Sequence, residues 1–148
     1  MIFVTDENFP SLGHRALNSI YGRAHKFHLS TDFVPRGTKD PELFRVCAEQ
    51  GVDVIVTGDL KHLRDPHELR TLHDCGLHWV GVPSTRHLRG GMVPRTQVAA
   101  VLYAFKMLAK ELQNATEPTA FLLEPMKPID YKEGYPQPLS HLLESARK

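Results

Sequence analysis

Short apolar runs closed by turn-forming residues alternate along this chain with segments whose apolar positions recur every three to four residues. Ile2, Phe3 and Val4 form the first run and read as a buried parallel strand. From Pro10 to Ile20, Leu12, Ala16, Leu17 and Ile20 keep helical spacing, and Tyr21-Gly22 is the expected stop. His25 to Ser30, with Phe27 and Leu29 alternating, predicts a more polar strand nearer an edge. Thr31 to Lys39 contains Pro35, Arg36 and Gly37 and reads as a loop. Asp40-Pro41-Glu42 opens the next helix, with Asp40 as its cap, Pro41 at the first helical position and a stripe of Leu43, Phe44, Cys47 and Ala48.

Val52 to Thr57 is the strongest strand and is expected at the sheet centre, ending in Gly58-Asp59. A short helix from about Pro66 to Asp74, stopped at Gly76, precedes a strand over Leu77 to Val82. Ser84 to Val93 reads as a basic, flexible loop, and Pro94 to about Gln113 as the longest helix. Ala120 to Leu123 is the last expected strand, and Leu139 to Ala146 a short amphipathic piece. This alternation predicts an α/β fold of three layers, α/β/α, around a mostly parallel central sheet. Residues 1–124 are expected to form the domain, and 125–148 a proline-rich tail.

At 148 residues the chain suits one domain with a substantial core. A net charge of +1 leaves nucleic-acid binding to local patches. Cys47 and Cys75 are the only cysteines, too few for a disulfide framework. No secretory leader and no membrane-length apolar run is evident, so a cytoplasmic protein without membrane attachment is expected.

The chemistry gathers at strand ends. Asp6, Glu7 and Asn8 follow the first strand and Asp59 follows the central one, so in a parallel sheet both sets reach one edge. Asp40, and with it Glu42, begins a helix that starts near that same edge. Carboxylates crowded into one cleft repel, and a divalent cation relieves the repulsion. Oxygen ligands favour Mg²⁺ or Mn²⁺ over zinc. Such an ion activates water and steadies charge on a phosphoryl oxygen, the chemistry of a metal-dependent nuclease.

Plainer roles stand beside these. Asp6-Glu7-Asn8 can cap the first helix, Asp59 can serve a turn, and Asp65 reads as a cap before Pro66. His62, His67, His73, His78 and His87 lack paired ligand spacing and read mostly as surface groups. Trp79 reads as core. Arg36, Arg64, Arg86 and Arg89 fall in loops where they can bind phosphate or simply stay solvated. The apolar face of the long helix is expected to pack on the core first and to meet a partner second.

VTDEN followed by Pro10, then PRGTKDPEL, then VIVTGD and HELRTLHDCGLHWVGVP together resemble the PIN-like domains, over about residues 1–83. The resemblance is to the compact group that contains VapC-type toxin-like proteins. It implies a metal-dependent endoribonuclease with Asp6, Asp40 and Asp59 as catalytic metal ligands and Thr57 supporting them by hydrogen bonding. Larger PIN nucleases carry a further glutamate between the first two motifs; here Glu7 or Glu42 would stand in, and Asp65 is a further candidate. The resemblance also implies an RNA substrate, an antitoxin partner and a homodimer.

Two other readings remain open. One is a non-catalytic PIN-like module that binds RNA or protein. The other is a receiver-like phosphoacceptor domain, with Asp6, Glu7 and Asp59 as its acids, Ser84 or Thr85 as its hydroxyl and Lys127 as its lysine.

Overall fold

A sheet sandwiched between helices requires strands apolar on both faces, and two inner strands, Ile2–Thr5 (IFVT) and Val54–Thr57 (VIVT), show this most clearly. The computed structural model describes residues 1–83, 92–124, 126 and 132–146. Its elements run β1 (Ile2–Thr5), α1 (Ser11–Tyr21), β2 (Lys26–Leu29), α2 (Asp40–Glu49), β3 (Val54–Thr57), α3 (Pro66–Asp74), β4 (His78–Gly81), α4 (Met92–Asn114), β5 (Ala120–Leu122) and α5 (Leu139–Ala146). Two 3-10 turns, Ser30–Asp32 and Leu60–Leu63, lie in the connections.

The strands form one sheet in the order β2-β1-β3-β4-β5, and every described pairing is parallel. The expected edge position of β2 and central position of β3 are both found. Alternation along the strands splits the core in two. Phe3, Val54, Val56 and Val80 pack with Leu17 of α1 and with Val101, Phe105 and Leu108 of α4. Val4, Ile55 and Trp79 point the other way, onto Leu43, Phe44 and Cys47 of α2 and Leu72 of α3. Helices therefore cover both faces, giving the three-layer arrangement.

The inward side of α4 is spent on this core, which leaves Tyr103 and Met107 exposed on its outer side. None of the described residues of α5 is buried. Among the described residues, no helix is long and apolar enough to cross a membrane.

Two local expectations are corrected. Asp40 is not the cap of α2. Lys39 holds that position without a side-chain bond, and Asp40 is already helical. Its carboxylate turns instead toward His62. His62, expected at the surface, is fully buried. Asp65 does cap α3, its Oδ1 accepting from the amides of His67 and Glu68 at 2.8 and 3.3 Å. Arg86, Arg89, Ser84, Thr85 and Lys127 lie outside the described residues.

Candidate metal centre

The chain turns left from β1 to β2 and returns to its right for β3, so the sheet order reverses between β1 and β3. In open parallel sheets the crevice at that reversal, at the strands' carboxyl ends, is where ligands bind. β1 and β3 are neighbours in register, with Thr5 opposite Val56. Asp6 and Asp59 thus leave the sheet at adjacent strand ends.

Asp6 is buried, with 5% of its surface exposed. Its Oδ2 accepts a hydrogen bond from the Thr57 hydroxyl, and its Oδ1 accepts from the Asn8 amide at 2.9 Å. The same Thr57 oxygen accepts from the Asp59 amide at 2.9 Å. One fully buried hydroxyl therefore ties the two acidic strand ends together. Burial pushes the Asp6 carboxyl up to about 6, and the Asp40 charge adds to that. The Thr57 bond, the His62 ring and the Asn8 amide pull the other way.

Gly58 makes the tight turn between Thr57 and Asp59 possible. A Cβ there would stand 2.2 Å from the Asn8 carbonyl oxygen, which is backbone and cannot swing aside. Asp59 then caps the 3-10 turn that follows, its Oδ1 accepting from the Lys61 amide at 2.9 Å. In a 3-10 turn residues three apart eclipse, which puts His62 on the Asp59 side.

Among the described residues, one ligand atom each from Asp40, Asp59 and His62 lie within 4.8 Å of one another. Asp6 does not enter that tight set. It lines, with Asp40, Glu7 and Asn8, a cleft of about 200 Å³. An adjoining hollow of about 420 Å³ is lined by Asp6, Asn8, Arg36 and Pro94. A separate apolar cavity of about 500 Å³ between α3 and the start of β5 contains no carboxylate and takes no part in this chemistry.

His62 sits beneath the cluster. Its Nδ1 accepts from the Trp79 indole N–H at 3.1 Å, and its Nε2 stands 3.1 Å from Asp40 Oδ2. That second approach is misaligned for a hydrogen bond, leaving the buried Nε2 without an aimed acceptor. Burial opposes charge on the ring, but contact with Asp40 and the charges of Asp40, Asp6 and Glu68 outweigh it and draw its pKa upward. The indole N–H, which needs the Nδ1 lone pair, works against that protonation.

Glu68 is a second residue that the sequence did not single out. It lies in the first turn of α3, and its Oε2 is buried without a partner. Burial raises its pKa first, and the Asp40, Asp65 and Asp59 charges add to it while His62 opposes. A glutamate three residues past a cap ordinarily bonds back to the cap amide. Here that amide is taken, since Asp65 N donates to the Lys61 carbonyl at 3.0 Å. The Asp65-x-x-Glu68 spacing is the signal that could have found Glu68, and Asp59-x-x-His62 the one for His62.

The other expected residues stay outside the tight set. Glu7 lines the cleft but is engaged there, accepting from the Gly37 amide at 2.8 Å and lying 4.0 Å from Arg36. Glu42 and Arg64 are exposed. Two carboxylates in the tight set, with Asp6 beside them, make an oxygen donor set that fits a divalent cation.

A family model described as "PIN like domain" matches residues 1–84. No curated protein and no solved structure matches the chain.

Proposed function

The chain belongs to the PIN-like domain family, whose members are generally nucleases, and on that premise we propose that it is a metal-dependent endoribonuclease of the toxin–antitoxin type. The order β2-β1-β3-β4-β5 also serves receiver domains, so topology does not choose between the two; the family match favours the nuclease. The observation that carries the reading is the meeting of ligand atoms of Asp40 and Asp59 within 4.8 Å, with Asp6 sharing a cleft with Asp40.

In this reading Asp6, Asp40 and Asp59 hold Mg²⁺ or Mn²⁺. When bound, the ion supplies Lewis acidity toward a phosphodiester oxygen and lowers the pKa of water. The chain's own part is positioning. Thr57 fixes Asp6 and Asp59 relative to each other. Asn8 holds the Asp6 carboxylate from its other oxygen. Arg36, exposed at the rim, offers a cation to the RNA backbone. Attack by water on phosphorus with departure of a ribose oxygen completes the hydrolysis.

A toxin-type role further implies an antitoxin protein as partner, assembly as a homodimer and a cytoplasmic setting. The engagement of Glu7 by the Gly37 amide and the exposure of Glu42 favour the second reading, a PIN-like module that binds RNA or protein without cutting.

Cleavage of labelled single-stranded RNA with Mn²⁺, with Mg²⁺ and with chelator separates the two. The nuclease reading expects metal-dependent cleavage that disappears in Asp6→Asn and Asp59→Asn. RNA retained but uncut by clean wild-type protein, at every metal concentration, establishes the binding module instead.

A further inference from the structure

The geometry points to His62 as a positioning residue and not a ligand: Trp79 locks its proton onto Nε2, so the metal centre presents oxygen atoms alone. This inference rests on the metal-site reading above.

An indole nitrogen is a donor and never an acceptor. The 3.1 Å contact between Trp79 Nε1 and His62 Nδ1 therefore requires the Nδ1 lone pair. A ring whose Nδ1 accepts carries its hydrogen on Nε2, the atom facing Asp40. Nε2 then has no lone pair for a cation, although it stands in the tight three-atom set. What it can do is donate to Asp40. The present misalignment is small work for a carboxylate, whose terminal torsion is broad and soft. Such bonds commonly tighten only when a site is filled.

The surroundings hold the pair in this arrangement. The Trp79 ring folds over Gly81 of its own strand, where a Cβ would stand 2.1 Å from the indole. Any side chain at that position would evict the ring that reaches His62. Phe44 of α2 packs edge-on against the imidazole at 5.2 Å. The imidazole is thereby contacted by α2 through Phe44 and held at Nδ1 by the indole. An oxygen-only pocket selects hard cations, and losing the lock would admit zinc, which favours nitrogen ligands.

Nitrogen-15 spectra of the histidine rings, together with Mn²⁺ and Zn²⁺ calorimetry, test this. The spectrum of the wild-type protein should show Nε2 protonated and Nδ1 bare, unchanged in that assignment when Zn²⁺ is added. His62→Gln keeps both functions, an oxygen to accept from Trp79 and an N–H to face Asp40, and cannot ligate through nitrogen. It should hold Mn²⁺ within about threefold of wild type, whereas His62→Leu should lose about 10–100-fold. Trp79→Phe keeps an aromatic ring in the core but removes the lock, and should raise Zn²⁺ affinity relative to Mn²⁺ by at least about tenfold.

A bare Nε2 in the wild-type spectrum, or equal losses in His62→Gln and His62→Leu, overturns the inference. Mn²⁺ binding that follows the expected pattern while RNA stays uncut sinks only the nuclease reading. Wild-type protein that takes up no Mn²⁺ sinks both.

Discussion

At the scale of the residue, Asp6 carries the sharpest consequence. Its carboxyl titrates at about 6 in the fold against 3.8 unperturbed, so between those values the folded protein holds a proton that the unfolded chain has released. The sign follows from linkage: folding is favoured by this group at low pH, and the contribution is lost as pH rises from about 4 to about 6. Two pKa units correspond to about 2–3 kcal/mol. In chelator, wild-type stability measured by urea unfolding should fall over that window. Asp6→Asn should flatten the profile and end more stable than wild type at pH 7, though inactive. Parallel profiles for the two proteins would remove the burial argument.

Thr57 is the other residue whose loss should be felt widely. Thr57→Val deletes one donor and one acceptor in a buried site, and leaves Asp6 Oδ2 and the Asp59 amide without their partner. A cost of about 1–3 kcal/mol is expected in urea unfolding. Mn²⁺ affinity should drop as well, and Thr57→Ser should restore both.

At the scale of the element, the site depends on how β3 hands over to the 3-10 turn and then to α3. Gly58→Ala places a methyl group against the Asn8 carbonyl. Either the Thr57–Asp59 turn or the Asp6–Asn8 turn must then shift. Metal affinity should fall by more than stability does, because the strands themselves are untouched; calorimetry beside thermal melts reads both. Asp65 is an exposed cap on two α3 amides, so Asp65→Ala should cost about 1 kcal/mol. If α3 also holds Glu68 beside the cluster, this variant should weaken Mn²⁺ binding without touching a ligand.

At the scale of the molecule, Asp6, Asp40 and Asp59, from three separated stretches, reach one sheet edge only because the sheet reverses direction between β1 and β3 and α2 packs on the face below them. A cation bound there joins those stretches and should stabilise the fold by mass action, about 2.7 kcal/mol at a hundredfold excess over its Kd. The thermal midpoint should rise with Mn²⁺ in wild type and not in a double Asp40→Asn, Asp59→Asn variant. The tail tests the other boundary. None of the described residues of α5 is buried, so removing residues 132–148 should leave the melting midpoint nearly unchanged. A large drop would make the tail part of the domain.

The sequence by itself determined the elements and their layering, because period and punctuation are local properties. Val54–Thr57 lies within the Val52–Thr57 run, Asp40-Pro41 opens α2, and Asp65-Pro66 opens α3 at the expected residue. It also determined that Asp6, Asp40 and Asp59 arrive at one sheet edge, since parallel strands share an end. Which acids then crowd together was decided by tertiary structure alone. Side-chain direction at Asp40, Glu7 and Glu68 depends on what each meets: His62 beneath, the Gly37 amide, and a cap amide already taken. The tautomer of His62 depends on an indole seventeen residues away along the chain but 3.1 Å away in space. No periodicity records such a pairing, because hydrogen bonds between distant segments form only after the sheet has set their distance.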